Sequence, residues 1–583
     1  MGTILNPRTD TESDNQFLKI CKNRMNGLFV DKTDFICETI NRLDSADKLV
    51  LFAKPRRFGK TVTAHMLACY YSKGADCKAV FSGLKAAGYA GTKTINGQEK
   101  KITYEEYLNK SNVIFLDMNN VNSKYRNYVR RTAKIEEVSD IVDFTEYLVI
   151  KELKEEPEFA PILAKAGISN IGINDALSEI HQKLHISFVF IMDEWDLIYR
   201  EYRDNETLQE KFMDMLAGLF KASDGLSCFS LAYLTGILPI KKDDSQSGLN
   251  NFDEYSMLMP GQFAPWFGFT EEDVAEICRL PCCSVPQEVL REWYGGYKIM
   301  MFDAKLRDYR DANIYSPVSV HRAVSGNECS IYWGTSFSDE EAIRLINMDF
   351  AGLKDDIINL IAGGPVWFDF FTFQNDMTSL DNKDQVFSLL VCLGYLGCSE
   401  FPNAGTERYA YVPNREIRET LIDIVREQPW YNAMPVIQRS EKLFQAIRSL
   451  DAETTAEIVG GIHNSPYVSV IGYNKEEALV FCLISGLMWC AETSYDSFRE
   501  LPAGKGFADL VFVPKSRADL PIMIIEFKRD YSAEDALNQI KDQDYTARYR
   551  QDGDKREVLL VGLNYSSETK EHHCVIEKMP QKN

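Results

Sequence analysis

The 583-residue sequence lacks the cysteine and histidine pattern that marks zinc-binding proteins. Its 14 cysteines include no C-x-x-C pair. The one cluster, Cys278, Cys282 and Cys283, has no histidine at the spacing of a zinc ligand. We therefore expect buried thiols in a reducing compartment rather than a structural zinc site.

Long apolar runs are also missing. The longest, residues 478–491, is too short to cross a bilayer and predicts a buried helix. The N-terminus is polar and lacks the apolar core of a signal peptide. Asn6 stands where a myristoylation signal after Gly2 needs Ser or Thr. We expect a cytoplasmic protein without a membrane partner.

Positive charge is scarce, since 65 Lys and Arg face 86 Asp and Glu, for a net charge of −21. This balance excludes one continuous basic face, although a local groove can be basic on an acidic protein. The sequence shows no repeats or low-complexity tracts, and 45% hydrophobic residues is an ordinary globular composition. The length predicts three or four domains.

The most informative stretch is residues 49–61, an apolar run followed by a Pro/Arg/Gly turn and a helical pattern. This strand–loop–helix context is what a phosphate-binding loop needs, because backbone N–H groups of the loop and helix start face the phosphates. Lys60 would neutralise phosphate oxygens, and the Thr61 hydroxyl would bind Mg²⁺. Lys54 replaces the first Gly of the usual pattern, and a basic turn that caps a helix is the alternative. The predicted ATP-binding residues here are Pro55, Arg56, Arg57, Phe58, Gly59, Lys60 and Thr61.

Two further apolar runs end in carboxylates. Residues 113–116 are followed by Asp117, and residues 188–192 are followed by Asp193 and Glu194. In P-loop NTPases the Asp of the second of these runs holds Mg²⁺, here Asp193, and the next Glu, here Glu194, polarises the attacking water. An acidic helix cap is the alternative. Alternating strands and helices predict a doubly wound parallel sheet that uses ATP and Mg²⁺.

The middle of the chain carries weaker signals. Thr270 with Asp273 three residues later predicts a capped helix start, and a mostly helical pattern follows to about residue 450. Residues 389–397 and 409–414 suggest a helix–strand unit, for which we consider a winged helix. Such a unit serves DNA binding or domain packing equally well.

Near the C-terminus, residues 507–513 and 521–528 have the pattern of two strands. Glu526 and Lys528 point the same way because strand side chains alternate between faces, and Asp509 on the neighbouring strand can meet them. Asp509 and Glu526 would supply oxygen ligands for a divalent metal, and Lys528 would orient water or stabilise developing charge. A carboxylate–lysine pair at a sheet edge is the alternative.

This ordered set of motifs resembles a family of bacterial proteins that have an AAA-ATPase-like domain at the N-terminus and a PD-(D/E)XK nuclease-like domain at the C-terminus. The family shares the Pro-Arg-Arg-Phe-Gly-Lys loop without the first Gly, as in residues 55–60. The other similar stretches are Val30-Asp-Lys-Thr33, Met192-Asp-Glu-Trp-Asp196, Leu234-Thr-Gly236, Trp293-Tyr-Gly-Gly-Tyr297 and Ile525-Glu-Phe-Lys528.

The resemblance implies further roles. Thr235, at the end of another apolar run, matches the sensor residue that contacts the γ-phosphate, although a strand-end Thr in a turn explains it nearly as well. Glu477 fits an additional metal-binding carboxylate, with Glu476 as the fallback, and Gln539 fits a substrate contact. Phe507 stands where the family usually has Arg, which weakens contact with substrate phosphate.

We therefore predict an α/β protein with a polar tail (1–16), an AAA-like P-loop domain (17–268), a helical, winged-helix-like middle (269–455) and a nuclease-like domain (456–583). The expected function is an ATPase module that controls a nuclease cutting DNA, with Mg²⁺ or alternatively Mn²⁺ at the nuclease site. The alternative is an ATP-switched DNA- or protein-interaction protein whose nuclease fold is inactive; a plain NTPase with a structural tail is a third. Arg56 and Arg57 are candidates for an arginine finger, and a homo-oligomer stays open.

Overall fold

The computed structural model of the chain divides into two compact units. The first comprises Met1–Phe350 and Trp367–Thr420, and the second comprises Ala351–Val366 and Leu421–Asn583. The finer boundaries at residues 16, 268 and 455 stay predictions. The structure describes residues 3–7, 15–22, 28–95, 98–130, 138–165, 172–240, 249–257, 259–303, 308–333, 338–369, 380–400, 407–430, 435–463, 495–503, 506–514, 520–546 and 556–579.

The N-terminal part of the first unit alternates helices with strands. Its strands are β1 (Leu49–Ala53), β2 (Ala90–Ile95), β3 (Gln98–Thr103), β4 (Asn112–Asp117), β5 (Phe188–Asp193), β6 (Phe229–Gly236) and β7 (Asp253–Tyr255). Its helices are α1 (Gln16–Lys22), α2 (Phe35–Arg42), α3 (Lys60–Tyr71), α4 (Lys78–Phe81), α5 (Met118–Val129), α6 (Ile141–Glu155), α7 (Ala160–Lys165), α8 (Ile173–Leu184), α9 (Leu197–Glu201), α10 (Glu206–Phe220) and α11 (Ser223–Ser227). Short 3-10 helices cover Lys85–Gly88, Tyr104–Glu106 and Gly261–Trp266.

Five of these strands form a parallel sheet in the order β4-β5-β6-β1-β7. Strands β1, β5 and β6 are buried along their whole length, as expected for a parallel sheet covered on both faces. The predicted parallel sheet is thus confirmed. Because the strands are parallel, the carboxyl ends of β1, β6, β5 and β4 lie in a row along one edge.

The middle of the chain contains more sheet than its sequence pattern indicated. Its strands are β8 (Phe269–Thr270), β9 (Tyr297–Asp303), β10 (Asp308–Tyr315), β11 (Val366–Asp369), β12 (Gly397–Glu400) and β13 (Glu407–Tyr411). Its helices are α12 (Glu271–Cys278), α13 (Gln287–Tyr294), α14 (Pro317–Gly326), α15 (Ser338–Ile346), α16 (Leu353–Ile361), α17 (Lys383–Leu393) and α18 (Arg415–Arg426). The strands form two three-stranded sheets, β8-β10-β9 and β11-β13-β12.

Two sequence predictions for this region are confirmed. Thr270 and Asp273 form a reciprocal capping box at the start of α12. Helix α17 followed by the β12–β13 hairpin is the helix–strand unit that we had considered as a winged helix.

The Trp-Tyr-Gly-Gly-Tyr stretch ends α13 and begins β9. Gly296 has a left-handed backbone (φ 84°), and a Cβ there would lie 1.8 Å from the Pro413 carbonyl oxygen. Only glycine fits this position. The Tyr297 hydroxyl donates to the Gly394 carbonyl at 2.8 Å, so the stretch serves packing, as predicted.

The second unit is built on a five-stranded sheet in the order β14-β15-β16-β17-β18. Only the central pair, β16 and β17, is parallel. One face packs on α19 and α20, and the other packs on α21. The elements are α19 (Pro435–Arg448), α20 (Ala452–His463), β14 (Tyr495–Ala503), β15 (Gly506–Pro514), β16 (Ile522–Arg529), α21 (Ala533–Asp542), β17 (Val558–Tyr565) and β18 (His572–Lys578).

Some sequence predictions fall outside the described residues, namely Glu476, Glu477 and the apolar run 478–491. Within the part of the chain that the structure describes, no helix has the length and apolar character to cross a membrane.

Candidate functional site

The predicted phosphate-binding loop joins β1 to α3, which begins at Lys60. Arg57 and Gly59 both have left-handed backbones, with φ of 68° and 80°. The Lys60 Nζ donates to the Pro55 carbonyl at 3.1 Å and lies 3.7 Å from Glu194 Oε1. The loop therefore curls around the lysine, next to the positive end of the α3 dipole, as an anion site requires.

Asp193, the carboxylate predicted to hold Mg²⁺, stands at the edge of the sheet beside this loop. Asp193 pairs in register with Asp117 on β4 and with Thr235 on β6. The Asp193 side chain is buried and hydrogen-bonds Thr61, but burial and the charge of Glu194 raise its pKa. A buried carboxylate and a hydroxyl in contact are oxygen ligands that suit Mg²⁺.

Glu194 is surrounded by cations. The Arg200 Nη2 donates to Glu194 Oε2, while Lys60 lies near Oε1. Burial alone would raise the pKa of Glu194, but Lys60, Arg200 and Arg56 together hold it below its usual value. Its backbone is left-handed (φ 56°), a rare conformation for a non-glycine residue that is concentrated at functional sites.

Arg200 is a site residue that the sequence analysis missed. Its Nε donates to Asp196 Oδ2 at 3.2 Å, and the same oxygen accepts the N–H groups of Ile237 and Leu238 at 3.0 Å each. Asp196 thus joins the loop after β6 to α9, which carries Arg200. The i,i+4 spacing of Asp196 and Arg200, directly after the acidic pair, was the available sequence signal.

Thr235 lies in the strand between the phosphate loop and the carboxylates. It is fully buried, and its hydroxyl donates to the Phe52 carbonyl on β1 at 2.8 Å. The hydroxyl would have to leave this bond to reach a phosphate, so its role as a phosphate sensor stays a prediction.

Two residues of the predicted loop face the middle of the chain. The Arg57 Nη1 donates to the Tyr332 carbonyl. Phe58 is buried and packs edge-on against Tyr297 and Trp333, with ring centroids 5.2 and 6.2 Å away. These contacts fasten the loop to the rest of the first unit.

Lys54, in place of the first glycine, has a packing role. Its side chain is buried, and Nζ donates to the Trp266 carbonyl and lies 5.0 Å from the centre of the Phe267 ring. Burial, together with the charges of Lys60 and Lys32, lowers the pKa of Lys54 to about 7. Lys54 therefore ties the start of the loop to the segment that follows the Gly261–Trp266 helix.

Two cavities meet at Gly59. One, of about 440 Å³, is lined by the cations Arg56, Arg57, Lys60 and Arg200 against the carboxylates Glu194 and Glu201. The other, of about 330 Å³, is mostly apolar and is lined by side chains that include Phe17, Leu28, Val30, Phe35, Met66 and Trp266. A cationic cavity beside an apolar one suits the two parts of a nucleoside triphosphate, the anionic triphosphate and the base.

The second candidate site lies between β15 and β16. Asp509 Oδ2 accepts the Phe527 N–H at 2.8 Å, and the Asp509 N–H lies 3.4 Å from Glu526 Oε2. Lys528 Nζ lies 3.5 Å from Glu526 Oε1. Glu526 is 1% exposed, and burial with the nearby charge of Asp509 raises its pKa to about 7 despite Lys528. The three predicted residues therefore converge, and a divalent cation would relieve the strained carboxylate pair.

Gln539 on α21 contacts this site by a hydrogen bond to the Glu526 carboxylate. Its Nε2 donates to Glu526 Oε1 and contacts the buried Tyr545 hydroxyl at 3.2 Å. Its predicted substrate contact is untested, but it clearly orients Glu526. Among the described residues no group of three or more His, Cys, Asp or Glu side chains is arranged to hold a metal. The predicted third ligand, Glu477, is outside them.

Comparison with known proteins identifies the two domains in which these residues lie. A family model described as a predicted AAA-ATPase matches residues 15–245, and a PD-(D/E)XK nuclease superfamily model matches residues 476–574. The chain is also similar to an uncharacterized protein in the vnfD 5′ region of Azotobacter chroococcum mcd 1. The two are 20% identical over 410 residues, 66% of this chain and 70% of that protein. The predicted resemblance is confirmed: the chain combines an N-terminal AAA-ATPase-like domain with a C-terminal domain of the PD-(D/E)XK nuclease superfamily.

Proposed function

We propose that the ATPase-like module binds and hydrolyses ATP with Mg²⁺, and that it controls a metal-dependent nuclease module that cuts DNA. The observation that supports this best is the convergence of Asp509, Glu526 and Lys528 from two strands of the second unit. A chain that carries the residue types of both an ATPase and a nuclease is explained more simply by two enzymatic activities than by one activity and an inactive nuclease domain.

At the ATP site, each residue has a distinct task in the proposal. Lys60 and the N–H groups at the start of α3 bind phosphate oxygens. Thr61 and Asp193 hold Mg²⁺, and Glu194 accepts a proton from the attacking water. The apolar cavity beside Trp266 receives the base.

At the nuclease site, Asp509 and Glu526 are the proposed ligands of Mg²⁺ or Mn²⁺. The bound ion would polarise the scissile phosphate and lower the pKa of its water. Lys528 orients that water and stabilises the charge that develops. Gln539 positions Glu526 through the hydrogen bond to its Oε1.

A second candidate function is an ATP-switched protein whose nuclease fold binds DNA or a partner without cutting. Phe507 on β15 favours this alternative, because it replaces the arginine that would contact substrate phosphate. The net charge of −21 also disfavours extensive DNA contact.

Nicking of supercoiled plasmid tests the two candidates directly. We expect the full chain to nick DNA with Mg²⁺ or Mn²⁺, and the rate to change when ATP is added. Asp509→Asn should show no nicking under the same conditions. If the unmodified chain cuts neither DNA nor RNA with either metal, with or without ATP, the binding-only function replaces the nuclease.

Control by ATP needs a separate test, because a ligand changes a conformational equilibrium only if it binds two states unequally. We expect partial proteolysis to cut residues 270–464 differently with and without Mg-ATP. Identical fragments, with ATP binding verified, would indicate two independent modules in one chain.

A further inference from the structure

Arg200 has an unusual position for a residue outside the predicted loop. Its side chain is 4% exposed, and it lines the cationic cavity. Two carboxylates bind it: Asp196 accepts from Nε, and Glu194 accepts from Nη2. The guanidinium therefore joins a structural anchor to the residue proposed as the general base.

This pairing conflicts with the task of Glu194. A general base must offer a carboxylate oxygen to the water that it deprotonates. In the structure Oε2 is engaged by Arg200 and Oε1 faces Lys60. A productive Glu194 must therefore exchange its contact with Arg200 for one with water.

The same cavity offers Arg200 a better partner when a triphosphate is bound. The guanidinium is one rigid plane, so Arg200 would reach a phosphate by a rotation of that whole plane, with the single 3.2 Å bond from Nε to Asp196 as the pivot. Guanidinium groups bind phosphate oxygens in bidentate fashion, which makes a γ-phosphate a stronger partner than one carboxylate oxygen. A diphosphate lacks the group that would attract Arg200.

We propose that Arg200 is a positioning residue that pairs with Glu194 in the nucleotide-free chain and turns to the γ-phosphate when a nucleoside triphosphate is bound. This inference rests on the proposed ATP function. Arg200 then distinguishes triphosphate from diphosphate and releases Glu194 only for the triphosphate. In this proposal the cation that contacts the γ-phosphate, Arg200, belongs to the same chain as the phosphate-binding loop. Arg57 of the loop donates instead to the Tyr332 carbonyl.

Nucleotide selectivity of an Arg200→Gln variant tests this exchange. The measurement is calorimetric binding of Mg-AMP-PNP and Mg-ADP to the full chain. We expect AMP-PNP binding to weaken at least about tenfold, with ADP affinity within about twofold of the original. Arg203→Gln is the matched control, because Arg203 pairs with Glu341 outside the cavity. Equal weakening for both nucleotides would overturn the proposal.

A Glu194→Gln variant tests the same pair from the other side. The neutral amide no longer holds Arg200, so we expect AMP-PNP to bind several-fold more tightly while ADP affinity stays unchanged. In the Glu194→Gln, Arg200→Gln double variant this gain should vanish. If the gain in AMP-PNP affinity persists in the double variant, it comes only from removing the repulsion between the Glu194 carboxylate and the phosphates. That result would overturn the role of Arg200.

These measurements stay decisive if Arg200→Gln destabilises the fold. A lowered thermal unfolding temperature without nucleotide would reveal that case, the affinities of Arg200→Gln are then set aside, and the Glu194→Gln variant decides alone: an unchanged ratio of AMP-PNP to ADP affinity overturns the proposal. Failure of the ATP function itself is distinguishable, because the unmodified chain would then bind neither nucleotide.

Discussion

Each candidate site holds two carboxylates, at the end of β5 in the first and within the neighbouring strands β15 and β16 in the second, but the glutamate of each pair has a different charge environment. Around Asp193 and Glu194 stand Lys60, Arg200 and Arg56, which hold the pKa of Glu194 low. Beside Asp509 and Glu526 lies the cation Lys528, and the pKa of Glu526 is raised by burial and by the charge of Asp509. The first site therefore has an excess of positive charge that a phosphate can neutralise, and the second has carboxylate ligands that a metal ion can bind.

We infer from this contrast that the surroundings of a carboxylate pair decide which ligand suits it more than the pair itself does. Excess positive charge in a cavity favours a polyanion that brings its own Mg²⁺. Two carboxylates with one lysine repel each other when both are ionised, and a divalent cation removes that cost. Four predictions test the contrast, in order of decreasing expected effect.

The nuclease carboxylates should give the largest effect. Asp509→Asn and Glu526→Gln each remove one of the two anionic ligands that β15 and β16 supply, so we expect plasmid nicking to fall at least about 1000-fold. The double variant should be little worse than either single one, because the residues act as a unit. ATP hydrolysis should be unchanged in all three. Asp542→Asn, an exposed substitution on α21, is the control; equal cutting by the Asp509 variant would place the active site elsewhere.

Lys528→Met should separate metal binding from catalysis. Because the ammonium acts on water and developing charge, we expect nicking to fall about 100-fold while Mn²⁺ affinity, measured by electron paramagnetic resonance, is retained. Lys541→Met removes a half-exposed surface lysine paired with Glu577 and should have no effect. Loss of Mn²⁺ affinity in the Lys528 variant would instead make the lysine a structural support of the carboxylates.

Lys60→Ala tests the excess of cations at the first site. We expect ATP affinity to fall at least about tenfold, or about 1.4 kcal/mol, because the variant removes the phosphate-neutralising charge. The Mn²⁺ affinity of the nuclease site should not change. Lys73→Ala, an exposed lysine just after α3 that pairs with Glu158, is the control. Unchanged ATP affinity in the Lys60 variant would reject the phosphate-loop assignment.

The smallest effect concerns the metal-free stability of the second site. The pKa of Glu526 is raised in the folded state, so its ionisation costs stability as pH rises from about 4.5 to about 7. Glu526→Gln removes that cost, and we expect it to stabilise the metal-free protein by about 1 kcal/mol at about pH 8 and not at about pH 5. The full shift is not recovered, because Lys528 loses its ionic partner.

Denaturant unfolding in the presence of a chelator measures this difference. Asp509→Asn should act in the same direction, because the charge of Asp509 contributes to the raised pKa. A Glu526 variant that is less stable than the original at about pH 8 would mean that Lys528 and Gln539 already satisfy the carboxylate, which would remove the case for a metal there.

Much of both sites was predictable because their residues follow local patterns. The apolar runs of β1 and β5 predict buried parallel strands, and polar residues at their ends must reach one edge of the sheet. The alternation along β16 likewise places Glu526 and Lys528 on one face. These inferences need only the sequence, because strand periodicity and the strand–loop–helix order are short-range properties.

The order of strands and the partners of side chains depended on the tertiary structure. Strand β6 lies between β1 and β5, so Thr235 is buried and its hydroxyl donates a hydrogen bond to the Phe52 carbonyl. The β9–β10 hairpin forms in a region whose pattern looked helical, where Gly296 must pass the Pro413 carbonyl. Contacts between segments far apart in the chain, such as β6 with β1, leave no periodic pattern in the local sequence.

The sequence alone determined which residue types stand at the end of β5 and within β15 and β16, and therefore that the chain carries one phosphate-binding and one metal-binding candidate site. Only the tertiary structure decided the charge around each carboxylate, since Glu194 faces Lys60 across the sheet edge and Arg200 from the next helix, whereas Glu526 faces Asp509 across a strand pair. The reason is physical: electrostatic environment is set by distance and burial in three dimensions, which the order of residues along the chain does not specify.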